Sequence, residues 1–235
     1  MTDSRFDLAY IELKLFYTKM TSKQNLTSEL IDYIDAEVLP RYDTFDKAHN
    51  RKHAITVLVK SVQLAQHYDV STAMVYTIAA FHDTGLVEGR EHHHTASARI
   101  IREDKRLKEL FTAEEIEIMA DAVEDHRASC SKPPRTIYGK IVAEADRIID
   151  SHTIMARTIQ YGLANYPALT KKEHIERAVA HIKEKYGEGG YLKLWIPQSD
   201  NAARLQEFRT LISNEALLTE SLKQIYDEES TDNHA

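Results

Sequence analysis

The residues of this chain best suited to chemistry are carboxylates and imidazoles that fall where apolar side chains belong. Asp146 sits one turn after Val142 and one turn before Ile149, on the apolar stripe of its segment. An ionised carboxylate buried alone costs several kcal/mol, so it calls for a metal, a cation or several hydrogen-bond donors. His126 follows Val123 by three residues and Ala122 by four. His82 follows Ile78 by four with Asp83 beside it, and His53 stands one turn before Val57. A single histidine on an apolar face is ordinarily a core residue, and Asp146 has Arg147 beside it as a ready ion-pair partner. Four segments each offering a metal-type donor from an inward face are harder to dismiss together, and a metal centre stands level with the ordinary-core reading. Imidazoles and carboxylates without a thiolate suit Mn, Fe, Ni, Co, Zn or Mg and do not choose among them.

The elements that must position these donors read as helices. The apolar 3–4 spacing of Ile55, Leu58, Val62 and Ala65 predicts a helix over 48–67, and Ser71 caps the next, which ends near Gly85. Further helices are expected over 95–109, over 113–127 behind the capping box Thr112–Glu115, and over 137–150 with a continuation after a kink. Two opening helices are expected over 5–19 and 28–39, the second stopped by Pro40. A loop is expected at Ser131–Pro134 and a helix over 171–185 behind the box Thr170–Glu173. After the break Gly187–Gly190, one or two helices run to about 227, followed by a frayed acidic tail. No segment alternates with a strand period, so the expected fold class is all-α.

Composition supports that class and narrows the function. Glycine (7) and proline (5) are scarce in 235 residues, which argues against a sandwich or barrel of many short strands. The net charge of -7 excludes a general nucleic-acid coat. A single cysteine, Cys130, forms no internal disulfide and no Cys-rich zinc site, as in a reducing compartment. The charged start lacks the apolar stretch of a signal peptide, and no apolar run reaches the length of a membrane span. The expected location is therefore cytoplasmic, with no membrane partner.

The ordered set His53, His82-Asp83 and Asp146 resembles the signature of the HD-domain superfamily of metal-dependent phosphohydrolases. HAITVLVKSVQLA is similar to that family's first motif helix, AAFHDTG to its His-Asp motif, and KIVAEADRIID to the helix bearing its last aspartate. The resemblance covers about residues 46–152. It implies an HD-type helical domain, expected over 1–186, and the break at Gly187–Gly190 sets off a carboxyl-terminal helical extension over 187–235. That extension is too short to fold alone without staples, so Leu192, Trp195, Leu205 and Phe208 need a surface to cover.

The resemblance further implies that His53, His82, Asp83 and Asp146 bind one divalent metal, with Asp83 also able to take the proton of a water. Members with extra histidines imply a second role for His93, or its neighbour His94, and for His126: to hold a second ion, or with Arg127 to bind substrate phosphate. One ion is expected rather than two, because no additional carboxylate is placed to bridge a second. Arg51 and Lys140 are further candidate phosphate contacts, each ordinarily a solvated charge. Some nucleotidase members carry a glutamate where this chain has Leu86, and Glu88 and Glu91 read as a solvated loop.

The implied activity is metal-dependent hydrolysis of a small phosphate ester or nucleotide. Two alternatives stand beside it, an HD-type di-iron oxygenase and a catalytically inactive metal- or nucleotide-binding sensor. Tyr161, Tyr166, Tyr191 and Trp195 are candidates to stack on a base, and assembly into a homo-oligomer is compatible with the sequence.

Overall fold

The computed structural model describes residues 10–11, 26–46, 48–129 and 132–232, and among these there are helices and no strands. The chain divides between Arg147 and Ile148 into two compact units. The all-α expectation holds. The opening helix expected over 5–19 lies almost wholly outside the described residues, as do Cys130 and Ser131.

The first unit begins with α1 (Ser28–Tyr33), capped by Thr27. Pro40 does not stop this segment as expected. The helix widens into a π turn over Ile34–Val38, where the Leu39 N–H reaches back to the Ile34 carbonyl, and then tightens into a 3-10 helix over Leu39–Thr44. Proline fits the first turn of that tighter helix because its missing N–H is not needed there. Helix α2 (Arg51–Ala65) starts at Asn50, whose side chain accepts from the His53 N–H at 3.1 Å. Ser71 caps α3 (Thr72–Phe81), which ends at Phe81 rather than near Gly85.

A 3-10 turn over Thr84–Glu88 leads into α4 (His93–Glu103). The single helix expected over 95–109 is two. Asp104 closes α4 and its side chain caps α5 (Lys105–Leu110), accepting from the Leu107 N–H at 2.9 Å. Aspartate satisfies a new helix start better than it continues an old one. The capping box at Thr112 and Glu115 opens α6 (Ala113–Glu124), and Thr136 caps α7 (Ile137–Asp146).

Helix α2 packs on α3 and α7, α3 on α6 and α7, and α4 on α6. Val57, Leu58, Ile78, Phe81, Met119, Val123 and Val142 are fully buried among them. Burying side chains of this size stabilises the unit by roughly 1.5–3 kcal/mol each relative to exposure. One glycine is fixed by this packing: a Cβ on Gly85 would lie 2.1 Å from the His93 carbonyl oxygen and 2.4 Å from the Ser97 nitrogen. The start of α4 can approach the 3-10 turn over Thr84–Glu88 only because that Cβ is missing.

The second unit holds α8 (Ser151–Asn165), α9 (Lys171–Tyr186), α10 (Asn201–Ser213) and α11 (Glu215–Asp232). The expected kink after α7 lies at 147–150, with Asp150 capping α8, and the capping box at Thr170 and Glu173 opens α9. The break at Gly187–Gly190 is present, with Gly189 in the left-handed region at φ 72°. It falls inside this unit: α9 packs on α8, α10 and α11, and the Tyr186 and Phe208 rings meet edge to face at 5.5 Å. Leu192, Ile196, Leu205 and Phe208 are buried here. The chain expected to fray after 227 is helical to Asp232.

Candidate metal centre

Five helix ends of the first unit deliver the donors. His53 comes from the first turn of α2, His82 and Asp83 from the residues just past α3, His93 from the first residue of α4, and His126 from the turn after α6. Asp146 is the last residue of α7. Side chains at helix ends can converge on a point between helices without entering the interdigitated core.

Their geometry is close. His53 Nε2 lies 3.2 Å from His82 Nε2, 3.2 Å from Asp146 Oδ1 and 3.6 Å from Asp83 Oδ2. His82 Nε2 is 3.2 Å from Asp83 Oδ2 and 3.9 Å from Asp146 Oδ1. The other oxygen of Asp83 faces a different pair: Oδ1 is 3.4 Å from both His93 Nε2 and His126 Nε2, themselves 3.2 Å apart. Two donor groups result, His53–His82–Asp83 and Asp83–His93–His126, joined by the one carboxylate.

These donors fit a metal. Nitrogen and oxygen ligands bound at about 2.0–2.2 Å with angles between octahedral and tetrahedral stand roughly 2.9–3.5 Å from one another. The spacings of 3.2–3.4 Å above match the edges of such a polyhedron, and those of 3.6 and 3.9 Å lie just beyond them. The tautomers fit as well. The Nδ1–H of His82 donates to the Ala79 carbonyl at 2.7 Å, that of His93 to Arg90 at 2.8 Å and that of His126 to Val123 at 2.5 Å. Each bond leaves the Nε2 lone pair free for an ion, the arrangement that backbone acceptors give metal-binding histidines. Arg147, the ion-pair rival for Asp146, is turned to the Ala143 carbonyl instead.

Charge follows the same division. Burial alone would push the His53 imidazole down, but Asp146 and Asp83 outweigh it and hold its pKa up at about 9. His126 is likewise raised against its burial, chiefly by Asp83. The imidazoles hold Asp83 well below the ordinary carboxylate range, and Asp146 is lowered by His53 and His82. Burial and the neighbouring His126 push His93 down to about 4. The Asp146 side chain is a quarter exposed, so the centre is open on that side.

Other expected residues take different places. His94 stands beside the cluster, its ring 5.6 Å from that of His93, and contributes no atom to either donor group. Arg127 donates to the Glu91 carbonyl at 2.6 Å. Glu88 is tied to Arg99, the Glu91 carboxylate is most of 4 Å from the exposed His92 (3.9 Å), and Leu86 is apolar and half-buried. Neither glutamate substitutes for an acid at Leu86. Arg51 is paired with Asp43 at 2.6 Å. Tyr161 and Tyr166 pack edge to face on each other in the second unit, with the Arg177 guanidinium over both rings.

Two residues escaped the sequence reading. Tyr42, fully buried, donates from Oη to the Ala80 carbonyl at 2.9 Å and accepts the Asp83 N–H at 3.2 Å, pinning the His-Asp pair from behind. Its only sequence signal is an aromatic near Pro40, which does not distinguish it from packing. His49 lies with its ring 5.9 Å from that of His53, edge to face. Burial pushes its pKa below the ordinary histidine value, against the pull of Asp83 and Asp46.

The family model of the HD domain matches residues 51–149, the span that carries all six donors. Over that segment the chain is similar to the HD-domain superfamily, whose members are generally metal-dependent phosphohydrolases. Comparisons with curated proteins and with solved structures returned no match. No helix among the described residues is long and apolar enough to cross a membrane.

Proposed function

We propose that this protein is a metal-dependent phosphohydrolase that cleaves a small phosphate ester or nucleotide at a two-ion centre. The observation that carries the reading is the division of Asp83, whose Oδ2 faces His53 and His82 while Oδ1 faces His93 and His126. The expectation of one ion rested on the lack of an extra bridging carboxylate, a part that Asp83 itself would take in this reading. His53, His82, Asp146 and Asp83 Oδ2 would hold the first ion; His93, His126 and Asp83 Oδ1 would hold the second.

Bound divalent ions supply Lewis-acid chemistry, lowering the pKa of water and drawing charge from a phosphoryl oxygen. The chain's own residues supply placement. With both oxygens turned to imidazoles, Asp83 would help hold both ions in this reading and would not serve as a proton acceptor. Arg127 and His94, beside His93 and His126, would meet the substrate phosphate. In the hydrolysis, a water oxygen bonds to phosphorus, the ester P–O bond breaks, and the leaving oxygen ends with a proton from that water.

The same six donors would serve the di-iron oxygenase alternative, so the test must separate the two. Purified protein loaded in turn with Mn, Fe, Co, Ni, Zn and Mg would be assayed against nucleotides and simple phosphate esters, beside elemental analysis. The reading expects phosphate release without oxygen uptake. Oxygen consumption without phosphate release favours the oxygenase, and tight nucleotide binding without product favours a sensor.

A further inference from the structure

At the amino-terminal edge of α2, Asp46 and His49 form a pair that the metal ligands do not explain. Asp46 meets His49 Nδ1 with both carboxylate oxygens, at 2.9 and 3.0 Å. Asp46 Oδ1 is itself fixed by the backbone N–H groups of Ala48 and His49, at 2.7 and 3.1 Å. A carboxylate can only accept, so Nδ1 carries the proton and Nε2 of the neutral ring is left as an acceptor. No described residue hydrogen-bonds to that Nε2. The His49 side chain is 17% exposed, its ring abuts that of His53, and the charges of Asp83 and Asp46 both act on it.

A lone-pair nitrogen oriented by a carboxylate at the edge of a metal centre needs a donor from outside the protein. Phosphate oxygens at this site are acceptors, whereas the attacking water is a donor. We propose that His49 is a further catalytic residue, accepting the hydrogen bond of the attacking water, and that Asp46 is the positioning residue that fixes its tautomer. The role rests on the phosphohydrolase reading above. It fills a need that Leu86, Glu88 and Glu91 leave open and that Asp83 cannot meet.

Asp46→Asn gives a test that a structural role would not pass. The Asn oxygen keeps the backbone bonds to residues 48 and 49, but its NH₂ donates to Nδ1. The ring then switches to the Nε2–H tautomer, a donor in place of an acceptor. Steady-state kinetics on the best phosphate ester, with metal content measured alongside, should show kcat down about 100-fold in Asp46→Asn and in His49→Ala. KM should stay within about threefold and bound metal should be unchanged. His49→Gln, which can place an oxygen near the Nε2 position, should recover part of the loss. If the wild type turns over and both Asp46→Asn and His49→Ala keep kcat within about threefold, the role is wrong and the metal reading stands. A parallel loss of metal in these variants would also overturn it, making the pair a support for His53. A wild type inert toward every ester under every metal overturns the phosphohydrolase reading and this role together.

Discussion

His93 and His126 bring their Nε2 atoms to 3.2 Å from each other, and both face the same oxygen of Asp83. Both rings are protonated at Nδ1, so in their neutral form two lone pairs point at one small volume. Such a pair is repulsive unless a proton or a cation lies between them. His126→Ala should therefore lower bound metal from about two ions per chain toward one while the first ion stays. Elemental analysis still showing two ions in this variant would remove the second trio from the centre.

Tyr42 is the support behind the His-Asp pair. Tyr42→Phe keeps the buried ring but leaves the Asp83 N–H and the Ala80 carbonyl without their partner. A cost of about 1–3 kcal/mol in unfolding free energy is expected, with weaker metal binding. Denaturant melts and metal titrations would check both, and an unchanged metal affinity would restrict Tyr42 to packing.

Gly85 sets the distance between the 3-10 turn over Thr84–Glu88 and the start of α4. Gly85→Ala forces a Cβ against the His93 carbonyl and the Ser97 nitrogen, both backbone atoms that cannot swing away. The variant should lose about 1–3 kcal/mol of stability, and its second ion should bind more weakly than its first. Equal weakening of both ions would contradict the placement of His93 in the second group alone.

The pH dependence follows from His53. Without metal its pKa is raised from 6.5 to about 9 by Asp146 and Asp83 against its burial. This raised value contributes stability to the metal-free protein that is fully present below pH 6.5 and is lost as pH rises through about 9. Metal binding needs the neutral ring, so an ion must displace that proton at pH 7 to 8, and metal affinity should rise with pH until about pH 9. Calorimetry in buffers of different ionisation enthalpy should register proton release on metal binding, His53 among its sources. No release would show that His53 is not a ligand.

Much of this arrangement was legible because its residues break a pattern. Asp146 after Val142, and His126 after Val123, stand out where a helix should be apolar, and Ser71, Thr112 and Thr170 announce helix starts through their own side chains. The split at Asp104 was missed because the apolar spacing runs on across it, while the capping bond that breaks the helix is a local competition. The π turn at Ile34–Val38 has no periodicity to betray it. The bridging place of Asp83 depends on which way each carboxylate oxygen points, and His49 on a bond to Asp46. Spacing along the chain carries neither.

The central claim is that one carboxylate serves both donor groups. Elemental analysis of purified wild type, Asp83→Ala and His126→Ala, each shown folded by circular dichroism, tests it most directly. The wild type should carry about two divalent ions per chain, His126→Ala about one and Asp83→Ala close to none, with hydrolysis lost alongside. Full metal occupancy in Asp83→Ala would contradict the account.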